Sequence, residues 1–348
     1  MSRLRDWLEE EIAAGSFPGG AALVGSADAV HALAWAGRAA IEPEPVALDE
    51  RTLFDLASLT KPLATGALVR RTLGRALSLA DAPGRFLPEW KRTRYRGVTV
   101  EGLLTHTSGL PAWFPLYARG EGKSAYRRTL GEIEPERAPG SAVVYSDVGF
   151  LVLGEILEEI HAAPLDRCYE DLVVPPTGSA ARFLPGPEVS CAATERGDRY
   201  ERAMTERLGL GYAHFRDGVV RGEVHDGNAF RRGGVAAHAG LFGTAEDVWR
   251  LARPWLDPAA ADFTRDRTPD LPEARGLAWQ GSRGAGSAIP ELSAGAFGHT
   301  GFTGTSVWID PSRDGILVLL TNRIHPEVRD VNFHEVRRRF HRIALSLL

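Results

Sequence analysis

The chain carries β-rich runs near both of its ends, and this arrangement restricts the folds open to it. In GGAALVGSADAVHALAWAGRAA, residues 19–40, two apolar runs flank Ser26-Ala27-Asp28 and predict a β-hairpin. In GTSVWIDPSRDGILVLLTN, residues 304–322, two more β-rich runs flank a turn at 310–315. A basic, periodic stretch at 326–348 then predicts a C-terminal helix. Strands from the two ends can therefore pair into one sheet.

Helical patterns occupy the middle of the chain. They predict helices at about 58–77, 99–106, 146–162 and 245–256, separated by loops rich in proline and glycine. A chain of 348 residues is long enough for two domains, or for one large domain with an insertion. The sequence thus predicts a sheet domain from residues 1–75 and 240–348, with a mostly helical domain at 76–239.

The composition excludes several classes of function. Hydrophobic residues make up 44% of the chain and charged residues 25%, as is typical of a globular protein, and the net charge is −4. This charge gives no electrostatic basis for binding nucleic acid or an anionic membrane. The ten histidines show no close metal-ligand spacing, so we predict no metal site and no cofactor.

The N-terminal residues and the cysteines bear on the compartment. MSRLRDWLEEEIAAGSFPGG has acidic residues where a signal peptide has its apolar run, and it predicts an exposed helix that ends at Gly15-Ser16. No apolar run approaches the roughly 18 residues that a membrane span needs. Cys168 and Cys191 could form a disulfide, but two thiols in a long chain are more typical of a reducing compartment. We therefore expect a cytoplasmic protein.

The stretch LFDLASLTKPLATGALVRR, residues 53–71, contains a serine and a lysine three positions apart, Ser58 and Lys61. On a helix these side chains would share one face, where an unprotonated amine could take the serine proton. Burial is expected to lower the lysine pKa toward that range. Chance can also produce such a pair, and Pro62 fits only the first turn of a helix.

Lysine is rare in this chain, which makes Lys61 stand out. The 41 basic residues include only three lysines, Lys61, Lys91 and Lys123, and the rest are arginine. Arginine cannot lose its proton at usable pH, whereas a buried lysine can. The retention of lysine beside Ser58 therefore favours amine chemistry at this position.

Tyr145 lies in the second stretch of interest, GSAVVYSDVGFLVLGEILEEI at residues 140–160. This pattern predicts a strand, then a helix capped by Ser146 or Asp147. The apolar positions Leu151, Leu153, Ile156 and Ile160 would face a core. Tyr145 would stand at the junction, where its phenol could enter a cleft and share proton transfer with a lysine.

The third stretch is FGHTGFTGTSVWIDP, residues 297–311, in which glycines surround His299 and Thr300. A glycine-rich turn entering a strand would explain this pattern without any function. Alternatively, the strand edge at Gly301 allows a substrate backbone to approach closely. The N–H of Phe302 would then pair with that of Ser58 as an oxyanion hole.

Taken together and in order, these three stretches resemble the serine β-lactamase and penicillin-binding-protein superfamily. The likeness is greatest to its class C-like branch, and LLTHTSGLP at 103–111 and GGVAAHAGLFGTAEDVWRLA at 233–252 also resemble that branch. The resemblance implies an α/β (α+β) sandwich with an antiparallel sheet, a mostly helical second domain, and an active site between them. It makes Ser58 the acylated nucleophile, Lys61 its proton acceptor, and Tyr145 the shuttle to the leaving group.

Two positions depart from the family pattern. His299 stands where the family usually has a lysine, and Asp147 stands where it usually has an asparagine. A largely neutral histidine would hold a substrate carboxylate less well than lysine, and the Asp147 carboxylate would repel one. Both departures point away from efficient β-lactam hydrolysis.

Further residues are predicted to bind substrate or to support the fold. Asp147, His299, Thr300 and Gly301 would contact the substrate. The polar stretch 220–240 could be an ordinary surface loop, but a similar stretch lies near the cleft in this branch, so Asp226, Asn228 and His238 are further candidate contacts. We expect structural roles for His106 and for the helix-capping pair Thr244 and Asp247.

The sequence therefore predicts a cofactor-free serine hydrolase that cleaves an ester or amide through a Ser58 acyl-enzyme. The expected partner is a small ester, amide or peptide substrate, and the oligomeric state stays open. The same site could serve an acyltransferase, a D-amino-acid peptidase or a muropeptide amidase. A non-catalytic ligand-binding or sensor protein on this scaffold is the alternative from another class.

Overall fold

The computed structural model describes residues 3–90, 95–186 and 188–348, so Lys91 lies outside the described residues. A seven-stranded sheet in the order β3-β2-β1-β10-β9-β8-β7 forms the centre, and each neighbouring pair is antiparallel. Its strands are β1 (Gly19–Gly25), β2 (Val30–Ala40), β3 (Val46–Ala47), β7 (Gln280–Gly281), β8 (Phe297–Thr300), β9 (Ser306–Asp310) and β10 (Gly315–Thr321). The pairing of β1 with β10 joins the two ends of the chain, as predicted.

Both faces of this sheet are buried. The apolar residues of the central strand, β10, point alternately to the two sides, and each side is covered by helices. Val318 and Leu320 contribute to the larger core cluster, while Leu317 and Leu319 contribute to a second one. On the second side lie α1 (Arg3–Ala13) and α12 (Phe333–Leu345), and on the first lies α10 (Ala245–Ala252). The predicted α/β sandwich with an antiparallel sheet is confirmed.

The middle of the chain is mostly helical, with a small second sheet. That sheet has the order β4-β6-β5, from β4 (Phe54–Asp55), β5 (Arg182–Phe183) and β6 (Leu241–Gly243). The helices in this part are α2 (Ala67–Thr72), α3 (Val100–Leu104), α4 (Lys123–Leu130), α5 (Asp147–His161), α6 (Leu165–Leu172), α7 (Val174–Thr177), α8 (Arg199–Arg207) and α9 (Gly227–Arg231), and α11 (Ala261–Thr264) follows α10. The domain boundaries at 75/76 and 239/240 stay a prediction.

Three local predictions differ from the structure. The first two concern the N-terminal helix and the segment before Tyr145. The N-terminal helix was expected to be exposed, but Leu4, Trp7 and Leu8 are buried against the sheet because its apolar residues share one face. The strand predicted before Tyr145 is absent from the described residues. The chain there is held instead by a bond from the Val144 N–H to the His106 carbonyl.

The third difference is the helix that follows Ser58, which is irregular. It begins as a 3₁₀ turn at Ala57–Leu59, widens into a π-helical segment at Lys61–Gly66, and becomes regular only in α2. It ends at Thr72 rather than near residue 77. Pro62 has no N–H to donate, which accounts for the wide turn beside it, and π segments often accompany functional sites.

The capping and cysteine predictions can be compared directly. Ser146 caps α5 by accepting from the Gly149 N–H, and Thr244 with Asp247 forms a capping box at α10.

Cys168 and Cys191 are both buried and free. Within the described residues, no helix has the length and apolar character needed to cross a membrane.

Candidate active site

A strained turn presents Ser58 to the solvent side of the fold. Ala57, just before it, has a φ of 48°, in the left-handed region that non-glycine residues rarely adopt. The buried Asp55 side chain holds this turn, because its Oδ1 accepts from the Ala57 N–H at 2.8 Å. Its Oδ2 accepts from the His225 N–H at 2.7 Å. Strain maintained by such contacts is typical of functional residues.

The fully buried Lys61 side chain lies directly behind Ser58. Its Nζ donates to Ser58 Oγ at 2.9 Å and to the His238 carbonyl at 3.2 Å. The Asp147 Oδ1 atom lies 2.7 Å from the same nitrogen. The Asp147 carboxylate therefore forms an ion pair with Lys61 and favours its protonated form.

The Lys61 pKa is raised, whereas burial was expected to lower it. Burial alone would lower it, but the Asp147 carboxylate and the Tyr145 hydroxyl outweigh burial and raise the pKa above its usual value. Asp147 was predicted to contact substrate. The structure places it on Lys61, with about a fifth of its side chain exposed to the cavity.

We expect Asp147→Asn to move the rising limb of the pH–rate profile to lower pH. A general base must be unprotonated, so kcat/KM rises with pH through the Lys61 pKa, which Asp147 raises. Removing that carboxylate leaves burial to lower the pKa, and activity near neutral pH should increase. The measurement is kcat/KM against pH with a neutral ester. Glu273→Gln is the control, because Glu273 also lines the cavity but pairs with Arg275; an unmoved limb in Asp147→Asn would contradict the prediction.

Tyr145 completes the group around Ser58. Its hydroxyl hydrogen-bonds with Lys61 and Ser58, and Lys61 Nζ lies 4.9 Å from its ring centroid. Burial raises the Tyr145 pKa more than Lys61 lowers it, so the phenol keeps its proton. The His106 ring lies 4.5 Å from this ring at a tilt of 37°, and its Nδ1 accepts from the Ser146 N–H. This position agrees with the structural role expected of His106.

The third predicted stretch lies on the opposite side of Ser58. His299 in β8 is buried, its Nδ1 donates to the Thr300 carbonyl at 2.9 Å, and its ring lies 5.8 Å from that of Tyr145. Burial, together with the Lys61 and Arg275 cations, lowers its pKa well below the usual value. The lowered pKa favours neutral His299, as predicted, and the cavity is lined by the arginine cations Arg275, Arg323 and Arg337.

The loop after β8 approaches the turn at Ser58 closely. A Cβ atom on Gly301 would lie 2.7 Å from the Leu56 carbonyl oxygen, so only glycine fits there. Hydroxyls from Thr303 and Thr305 donate to the Asp55 and Leu56 carbonyls and fasten the loop to that turn. The arrangement supports the predicted pairing of the Phe302 and Ser58 N–H groups, which stays a prediction.

Acidic groups from the 195–240 region form another wall of the cavity. His238 Nε2 lies 2.8 Å from Asp226 Oδ1, and the His238 carbonyl accepts from Lys61. Glu201 accepts from the Gly227 N–H, and burial with the nearby Asp226 raises its pKa to about 7. Asp226 and His238 both line the cavity, and their contact with substrate stays a prediction.

Asn228 does not reach the cavity. It is 1% exposed, its Oδ1 accepts from the Leu116 N–H, and its Nδ2 donates to the Phe114 carbonyl, each at 2.9 Å. Both ends of this buried amide bond backbone groups, and Asn228 is not among the residues that line the cavity. The predicted substrate contact is corrected to a structural role.

A single cavity of about 630 Å³ brings the site together. The predicted residues that line it are Ser58, Tyr145, Asp147, Asp226, His238, His299, Thr300, Gly301 and Phe302. Lys61 lies beneath them and reaches the cavity through Ser58. An apolar portion of the wall is formed by Trp113, Tyr200 and Phe302.

One group of side chains has ligand atoms close enough to hold a metal. Atoms of Asp147, Asp226 and His238 lie within 4.8 Å of one another among the described residues. The Lys61 ammonium already lies against Asp147 and the His238 carbonyl. The protein's own cation therefore accounts for this cluster of acceptors.

Sequence reasoning missed several residues that line the cavity: Asp55, Glu201, Arg275, Arg323 and Arg337. Each is a single charged residue without a motif around it, and most lie far along the chain from the residues they contact. Asp55 alone had a local signal, because it lies three residues before Ser58, where an acid can bond the backbone of a turn.

Comparison with known proteins identifies the family. The Beta-lactamase family model matches residues 4–339. An N-acetylmuramyl-L-alanine amidase of Bacillus subtilis (strain 168) is 32% identical over 321 residues, covering 82% of this chain and 71% of that relative. A putative D-alanyl-D-alanine carboxypeptidase of Salmonella agona (strain SL483) is 29% identical over 373 residues, covering 94% and 84%.

Solved structures agree in fold. EstCE1, described as a hydrolase with promiscuous acyltransferase activity, superposes with a TM-score of 0.72 at 20% identity, covering 98% of this chain and 96% of that one. A class C β-lactamase superposes with a TM-score of 0.72 at 19% identity, covering 98% and 94%. The chain belongs to the β-lactamase family. It is a serine hydrolase of that family, which disfavours the non-catalytic sensor considered as an alternative.

Proposed function

We propose that the protein cleaves an amide or ester bond through an acyl-enzyme on Ser58. The observation that carries the proposal is the 2.9 Å contact between Lys61 Nζ and Ser58 Oγ, with the Tyr145 hydroxyl bonded to both residues. A serine hydroxyl gains nucleophilicity when a neighbouring group can take its proton, and Lys61 becomes such a group once its ammonium has lost a proton.

In acylation, Ser58 Oγ attacks the substrate carbonyl carbon. Its proton passes to the Lys61 amine once that amine has lost its own proton, and a proton passes through the Tyr145 hydroxyl to the leaving group. The carbon–leaving-group bond then breaks, and the oxyanion is stabilised by the N–H groups of Ser58 and Phe302. In deacylation, water enters on the leaving-group side and the same protons move in reverse.

The substrate class follows from the cavity and the relatives. A cavity of about 630 Å³ suits a small molecule or a short peptide. Its wall carries both acids, such as Asp226 and Glu201, and the Arg275 cation, so it suits a substrate with charged or polar ends. Because one relative is named an amidase and another a putative carboxypeptidase, we propose a peptide amide, including muropeptide fragments, ahead of a simple ester.

The decisive test is labelling with a fluorophosphonate, followed by intact mass and peptide mapping. Wild-type protein should gain one adduct on Ser58, and Ser58→Ala should gain none, because the reagent needs an activated serine. Turnover of a panel of p-nitrophenyl esters, D-amino-acid peptides and muropeptides then identifies the substrate. Products analysed with added alcohols or amines separate hydrolysis from acyl transfer. If the wild-type protein gains no adduct and turns over no member of the panel, the proposed function is wrong.

We further propose that the enzyme works in the cytoplasm. The support is its two buried, free thiols, Cys168 and Cys191, which suit a reducing compartment. Fractionation of producing cells, with the enzyme followed by its fluorophosphonate label, tests this location.

A further inference from the structure

The peptide group between Gly301 and Phe302 is engaged on one side only. Its carbonyl oxygen, that of Gly301, accepts from the Gly304 N–H at 3.1 Å and from Arg337 Nη2 at 2.8 Å. Its N–H, that of Phe302, donates no hydrogen bond to any of the described residues. Phe302 and Ser58 line the same cavity. This is the peptide whose N–H is proposed to receive the oxyanion.

Arg337 is a buried cation without an anion beside it. It is 5% exposed, and no carboxylate of the described residues lies within salt-bridge distance. Its Nη2 also donates to the Thr305 carbonyl at 3.0 Å, and its guanidinium lies 4.9 Å from the Phe333 ring. Burial, with the nearby Arg323 cation, lowers the Arg337 pKa to about 9.

A charge buried in this way is destabilising by itself. Hydrogen bonds to two neutral carbonyls could be made by an uncharged amide at far lower desolvation cost. A cation at this place is useful if negative charge comes close to it, either on a bound substrate or during the reaction. The tetrahedral oxyanion is such a charge, and it would form on the other side of the peptide that Arg337 already holds.

We propose that Arg337 is a positioning residue of the oxyanion hole. A charge-assisted hydrogen bond to the Gly301 carbonyl polarises the peptide, and in a trans peptide the N–H points opposite to the carbonyl. Arg337 thereby aims the Phe302 N–H into the cavity and makes it a stronger donor to the oxyanion. This inference rests on the oxyanion hole of the proposed function.

Arg323 provides a matched comparison. Its Nε donates to the Phe302 carbonyl at 2.9 Å, and no described carboxylate lies within salt-bridge distance of it either. That carbonyl belongs to the next peptide, between Phe302 and Thr303, which does not carry the Phe302 N–H. Replacing Arg323 therefore removes a similar cation that bonds the same loop, but it removes no hydrogen bond to the peptide between Gly301 and Phe302.

The test compares Arg337→Lys, Arg337→Gln and Arg323→Gln with wild type, using a neutral p-nitrophenyl ester. For Arg337→Gln we expect kcat to fall about 10- to 100-fold with little change in KM, since losing one oxyanion donor outright costs about 10²- to 10³-fold. Arg337→Lys should retain more activity than Arg337→Gln, and Arg323→Gln should lose less than either. Affinity for a boronic acid that forms a tetrahedral adduct should fall in parallel with kcat.

Three outcomes would overturn the proposal. One is an unchanged kcat in Arg337→Gln. Another is a loss confined to KM or to anionic esters, which would make Arg337 a holder of substrate charge. The third is a loss in Arg323→Gln equal to that in Arg337→Gln, which would indicate general damage to the loop. If thermal unfolding shows that Arg337→Gln does not fold, Arg337→Lys is used instead. A loss of boronate affinity larger than the loss of substrate affinity supports the proposal, and equal losses contradict it. A failed proposed function would instead appear as wild-type protein that forms no acyl-enzyme.

Discussion

Replacing Lys61 by arginine is expected to abolish acylation of Ser58 although the positive charge is retained. Arginine keeps its proton at any usable pH, so it cannot accept the proton of Ser58. The Lys61 side chain is also fully buried against Asp147 and the His238 carbonyl, where a branched guanidinium does not fit the same contacts. General bases contribute about 10²- to 10⁴-fold to rates, and we expect a loss at the upper end of that range.

The measurement is the rate of acylation by a p-nitrophenyl ester and by a fluorophosphonate, followed by intact mass. Lys123→Arg is the matched control, because Lys123 is about half exposed and pairs with Glu158 away from the cavity. That variant should acylate at the wild-type rate. A Lys61→Arg variant that acylates normally would remove Lys61 from the role of base and leave Tyr145 as the group that takes the proton.

Tyr145→Phe is expected to lower kcat by about 10²- to 10⁴-fold while leaving the fold intact. The substitution removes only the hydroxyl that bonds Lys61 and Ser58. The ring can still pack beside those of His106 and His299, whose centroids lie 4.5 and 5.8 Å away, so packing around the site is preserved. Because the phenol keeps its proton, its proposed task is to pass a proton to the leaving group.

That task predicts a dependence on the leaving group. A p-nitrophenolate departs without a proton, whereas an amine must receive one, so the variant should lose far more activity on amides than on p-nitrophenyl esters. Tyr169→Phe serves as the control, since Tyr169 is a buried tyrosine outside the cavity. Equal losses on both substrate types would contradict the proton-transfer role, while thermal unfolding reports whether the variant is folded.

Much of the architecture could be predicted because it is encoded locally. The alternation of apolar residues in β1 and β10 and the turns between neighbouring strands predict two hairpins, and the confirmed pairing of β1 with β10 joins them. The caps at Ser146 and Thr244 involve residues three positions apart, so they too could be predicted. Predictions were wrong where a segment had to be judged without its packing partner, as for the exposure of α1 and the strand before Tyr145.

In the candidate site, too, the features that depend on local sequence could be predicted and those that depend on distant segments could not. The sequence by itself determined that Ser58 and Lys61 share one face, because a spacing of three residues places side chains within one helical turn. Only the tertiary structure decided the direction of the Lys61 pKa shift, since Asp147 reaches it from another helix and opposes the effect of burial. It also decided that Asn228 bonds backbone groups and that Arg337 lies behind the Gly301–Phe302 peptide. Spacing reports neighbours within a turn, whereas pKa values and hydrogen-bond partners depend on charges that distant segments bring into contact.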